Sequence, residues 1–87
     1  MHIFKIDTAC AGQSLKLEKG SGGWFCIVAD YGLVSFTTGT EVMFASGRMG
    51  EVIFDTVDSA DIESQTVTLS GYGPVEMKHW EYFARVQ

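Results

Sequence analysis

Apolar and polar residues alternate with a period of two along much of this chain, the spacing of a strand with one buried face. In "SLKLE", Leu15 and Leu17 point one way while Ser14, Lys16 and Glu18 point the other. The same pattern pairs Val34 with Phe36, Val42 with Phe44, Val52 with Phe54, and Val75 with Met77. "SQTVTLS" alternates cleanly, with Val67 and Leu69 inward and Thr66, Thr68 and Ser70 outward. His2 to Ile6 reads as a first strand. "WFCIVA" is apolar without alternation, as in a central strand covered on both faces. Turn residues separate these bursts: "TACAGQS", "KGSGG", "DYG", Thr38 to Thr40, "SGRMG", the polar connection Asp58 to Glu63, and "GYGP". The terminal "HWEYFARV" fits either one helical turn followed by a last strand, or a single strand presenting Trp80, Tyr82 and Val86.

Strand signals this short, with turns at close intervals and no long helix, predict an all-β fold. The expectation is a small SH3-like barrel or β-sandwich of about seven or eight short antiparallel strands, with at most one short helical turn near residues 78–83. With 87 residues the chain is expected to form a single domain.

Composition narrows the function more than the fold. Hydrophobic residues make up 46% and charged residues 20%, which excludes a disordered chain. Net charge is −5, and the six basic residues, Lys5, Lys16, Lys19, Arg48, Lys78 and Arg85, are scattered. Nucleic-acid binding relies on clustered basic charge, so none is expected. The N-terminal "MHIFKIDTACAG" lacks the basic start and apolar run of a secretory signal, and no stretch approaches the ~20 apolar residues of a membrane span. A cytoplasmic, reduced protein with no membrane partner is expected. Cys26, inside "WFCIVA", reads as a buried hydrophobe slow to react with thiol reagents. Cys10 reads as an accessible loop thiol, and nothing requires the two to pair.

"VMFASGRMGEVIF", Val42 to Phe54, is two alternating segments joined by a turn with Gly47 and Gly50 at its ends, and "QTVTLS" and "HWEYFARV" follow. In this order of turns, residues 38–87 resemble a small SH3-like barrel with a KOW-type turn. The resemblance implies a barrel-like core over 38–87, with 1–37 contributing strands that extend the sheet or pair with another chain. Many such modules bind RNA or protein. The RNA-binding ones carry basic loops, whereas here Arg48 is followed closely by Glu51, Asp55, Asp58, Asp61 and Glu63.

Residues with chemistry of their own lack the patterns that chemistry needs. "DTVDSADIE" has neither the alternate ligand positions nor the central glycine of an EF-hand. His2, His79, Cys10 and Cys26 lack the close ligand pairs of a structural zinc site. "GxSxG" is absent, and "KGSGG" lacks the lysine and following helix of a phosphate loop. No cofactor, metal or catalytic residue is assigned. Aromatic residues, at 13%, are the remaining signal. Tyr31 and Tyr72 sit in turns, and His79, Trp80 and Tyr82 cluster near the C-terminus. Together these five form the candidate binding face. The reading is a non-enzymatic protein-interaction module with an aromatic face and acidic rims, in one version an acidic mimic that occupies a basic surface. The alternative is a small-molecule-binding protein or a minimal oligomeric enzyme with its site between subunits. A homodimer or larger oligomer is expected, through the first strand around Ile3 and the aromatics around Trp80 and Tyr82.

Overall fold

Where alternation is strict, the chain forms a strand with the expected residues inside. The computed structural model describes residues 5–87. Nine strands occur there: β1 (Ile6–Ala11), β2 (Lys16–Lys19), β3 (Phe25–Val28), β4 (Leu33–Phe36), β5 (Glu41–Ser46), β6 (Glu51–Asp61), β7 (Thr66–Leu69), β8 (Gly73–Glu76) and β9 (Tyr82–Val86). A single 3-10 turn, Met77–His79, precedes β9, so the first of the two readings of "HWEYFARV" is the right one. The fold is all-β, with one or two more strands than the sequence pattern predicts.

The strands form two antiparallel sheets. One runs β1-β9-β5-β6-β7-β8 and the other β2-β3-β4. β6 is the longest strand and serves two neighbours in succession. Glu51 to Thr56 pair with β5, and Val57 to Asp61 pair with β7. A bulge between Val57 and Ser59 marks the change and shifts the inward phase by one residue.

One cluster of buried residues joins the two sheets. Its spine is a run of aromatic rings. Phe25 stacks on Phe36 at 5.9 Å, Phe36 meets Phe83 edge-on at 5.3 Å, Phe83 lies 4.6 Å from Phe44, and Phe44 meets Trp80 at 5.9 Å. Each such contact contributes about 0.5–1.5 kcal/mol beyond area burial. Five of the ten described aromatic rings thus belong to this spine.

Two polar devices close the seams between sheets. The Gln65 side-chain amide acts as a one-residue strand partner for β2: its Oε1 accepts the Leu17 N–H at 2.8 Å, and its Nε2 donates to Leu17 O at 2.9 Å. Gln65 does this from a left-handed backbone, φ 54°, which aims the side chain back across the β6–β7 turn. Arg85 on β9 donates to Asp7 at 2.7 Å and to the Ser35 carbonyl at 2.8 Å, tying β1 and β4 to β9. Asp7 is free to reach it because β1 bulges between Ile6 and Thr8.

Several expectations are corrected. "TACAGQS" begins as strand, so Cys10 is 2% exposed on the inner face of β1, and burial pushes its thiol up to about 11. Cys26 is the more accessible of the two free thiols. β3 is central in its sheet, yet only Ile27 is fully buried and Trp24 is exposed, because one face of that sheet looks outward. Asp58 to Asp61 belong to β6 rather than to a loop. The expected contacts of His2 and Ile3 lie outside the described residues.

Candidate functional site

Residues paired across neighbouring strands share a face, so the register locates every outward side chain. In the half of the large sheet formed by β1, β9, β5 and the start of β6, one outer row is Ala9, Ala84, Met43 and Phe54. The next is Ala11, Tyr82, Ala45 and Val52. Val86 and Ile6 pair beside the first row. An antiparallel sheet with one solvated face normally carries polar residues at such positions. Here the outer face is apolar across four strands, with Val52 59% and Phe54 45% exposed. Glu41 and Thr56 pair at its border, while Glu51 and Asp55 lie in the phase of Ile53.

Val52 and Phe54 do share a face, as their spacing indicates, but it is the outer one. Ile53 is the buried residue, because the four-residue turn 47–50 pairs it with Phe44. The signal that would have revealed the face is that β5 is apolar in both phases. Val42 and Phe44 fill one side while Met43 and Ala45 fill the other.

The turn at this end is built from specific contacts. Gly50 has φ +66°, a conformation glycine adopts freely, whereas Gly47 is not in that region and a side chain there makes only ordinary contact with Glu81. Arg48 donates to Glu81 at 3.0 Å and to the Lys78 carbonyl at 3.3 Å, docking the turn on the 3-10 segment. Met49 projects from it, exposed.

Beyond β6 stands Tyr72, half exposed, in the β7–β8 turn. Its ring meets Trp80 edge-on at 6.5 Å, and its hydroxyl donates to Glu51 at 3.4 Å. Partial burial and the Glu51 charge raise the Tyr72 pKa. Asp55 holds this turn in place. Its carboxylate accepts the N–H groups of Thr56 at 2.7 Å, Tyr72 at 2.7 Å and Gly71 at 2.9 Å, and these bonds lower its pKa.

The five candidate aromatic and histidine positions do not form one surface. Trp80 is 3% exposed and belongs to the core, since Phe44, Tyr72 and the 3-10 turn lie against it. Tyr82 is half-buried within the apolar outer face. Tyr31 is 79% exposed, but its main chain exchanges two hydrogen bonds with Ala11, which places it beside β1. Tyr72 stands at the opposite end of the strand order. His79 is exposed beside Arg48, Met49 and Lys78.

Among the described residues no group of three or more His, Cys, Asp or Glu is placed to hold a metal ion. No helix there is long and apolar enough to cross a membrane. No protein-family model, curated protein or solved structure matches the chain.

Proposed function

We propose that this protein is a non-enzymatic protein-interaction module that self-associates through the apolar outer face of β1, β9, β5 and the first half of β6. The observation that carries the reading is the composition of the outer rows, in which Phe54, Met43, Val52 and Tyr82 stand where a solvated sheet places polar residues. Contiguous exposed apolar surface marks interaction sites. A second copy offers the same face, and two-fold pairing is the commonest way for one patch to cover itself. Protein is the favoured partner class over nucleic acid. Residues 49–77 contain no Lys, Arg or His, and they carry Glu51, Asp55, Asp58, Asp61, Glu63 and Glu76. Light scattering across micromolar concentrations tests the reading. The expected mass is twice the 9.6 kDa of one chain. A monomer mass throughout that range contradicts it.

A further inference from the structure

At Val52, β6 has a strand neighbour on one side only. The Val57 N–H donates to Thr40 O at 3.0 Å and the Val57 carbonyl accepts from Gly39, so the main chain of Val57 faces β5. Thr56 faces the other way, its carbonyl accepting the Ser70 N–H at 2.9 Å. Strand alternation carries this pattern back through the unbroken β5–β6 register. Ile53 and Asp55 turn their main-chain groups to β5, and Val52 turns its N–H and C=O away from it. The strand on that side, β7, begins its ladder only at Val57. Beside Val52 its place is taken by a groove of about 410 Å³ lined by Glu51, Val52, Ile53, Phe54, Asp55 and Tyr72. The far wall is the Tyr72 turn, pinned by Asp55.

We propose that this groove accepts an extended, cationic peptide segment as an added strand on β6. The main chain of the segment bonds the outward N–H and C=O of Val52, the mode by which an exposed sheet edge takes up a peptide. Alternate apolar side chains of the segment continue the outer row of Val52, and a Lys or Arg replaces the long Tyr72 hydroxyl bond to Glu51. Charge selects the occupant. β6, β7 and β8 contain no basic residue, and Glu51 and Asp55 flank the groove. A second copy presenting its own β6 would set these carboxylates against their equivalents, and like charges across paired strands oppose association. The groove lies in the plane of the sheet, while self-association uses side chains perpendicular to it. The two sites share Val52 and Phe54 but use different groups of them.

The test uses three capped heptapeptides titrated into the full chain and followed by amide NMR. One alternates Lys and Val, one alternates Glu and Val, and one is the Lys–Val sequence N-methylated at alternate peptide nitrogens. The Lys–Val peptide is expected to bind about tenfold or more tighter than either control, and to slow hydrogen exchange at the Val52 amide. Val52→Pro removes the outward N–H and spares the β5 ladder, as proline at an open edge does. Its fold is expected to persist and its peptide binding to fall about tenfold or more. Equal binding of the Glu–Val peptide overturns the proposal, as does undiminished binding by folded Val52→Pro. If that variant does not fold, the parent decides. Unchanged exchange at the Val52 amide under millimolar Lys–Val peptide overturns the proposal. The mass of the peptide-free chain is a separate measurement, so failure here leaves self-association standing.

Discussion

β6 passes through two different surfaces. Before its bulge the outward residues are Val52, Phe54 and Thr56, the first two in rows with Met43, Ala45, Ala84 and Tyr82 and the third paired with Glu41. After it they are Ser59 and Asp61, in rows with Thr68 and Pro74 and with Thr66 and Glu76. The inner side holds the buried residues Ile53, Val57, Val67 and Val75. Folding alone asks only for that inner side. The second half of β6 meets this requirement and is otherwise polar, as a solvated sheet is. The first half carries apolar residues, Val52 and Phe54, on its outer side as well. The contrast within one strand is what directs attention to the first half.

The largest effect expected separates core from face. Phe44→Ala should cost about 3–5 kcal/mol in chemical denaturation, because Phe44 is fully buried among Phe83, Trp80 and Ile53. Val52→Thr, a few residues away on the outer side, should change the stability of the monomer by no more than about 0.5 kcal/mol. A large cost at Val52 in dilute solution would mean that the outer face is part of the fold and not a surface for contact.

Next in size is the seam. Gln65→Ala should cost about 1–3 kcal/mol, since it leaves the Leu17 N–H and carbonyl without their amide partner. Full retention of stability would show that water replaces the amide at β2. At the β5–β6 turn, Gly50→Ala should cost about 1 kcal/mol and Gly47→Ala about 0.5 kcal/mol or less, because only Gly50 has a left-handed backbone. Equal melting temperatures for the two variants would remove the conformational argument.

The smallest effect depends on pH. The folded pKa of Asp55 is depressed, so its contribution to stability is present above the unfolded value of about 3.9 and is lost as pH falls through the folded value. Asp55→Ala should melt lower than the parent at neutral pH, and the gap should close in acid. A gap that stays constant with pH would assign the loss to the β-strand position and not to the carboxylate.

Much of this was legible in the chain. Leu15, Leu17, Val34, Phe36, Val67, Leu69, Val75 and Met77 are all buried, as strict alternation indicates. What was not legible has physical causes. Alternation reports that residues share a face, but not which face, so Val52 and Phe54 were placed together without being placed outside. The bulge at Asp58 changes the phase without a proline or glycine to announce it. The Gln65 amide makes its bonds across a separation of 48 residues, beyond the reach of any local pattern. Aromatic content indicated contact surface, but half of the ten described rings form the spine of the core. On the outer face Phe54 and Tyr82 stand among Met43, Ala45 and Val52, which an aromatic count does not detect.

The central claim is that β6 divides a contact surface from a solvated one, and paired lysine substitutions test it most directly. Val52→Lys puts a charge on the apolar outer face, and Thr68→Lys puts one on the polar outer face of the same sheet. Sedimentation velocity of both at micromolar concentration, beside the parent, is predicted to show Val52→Lys as a monomer and Thr68→Lys as a dimer like the parent. Equal masses for the two variants, or dissociation by Thr68→Lys alone, would contradict the account.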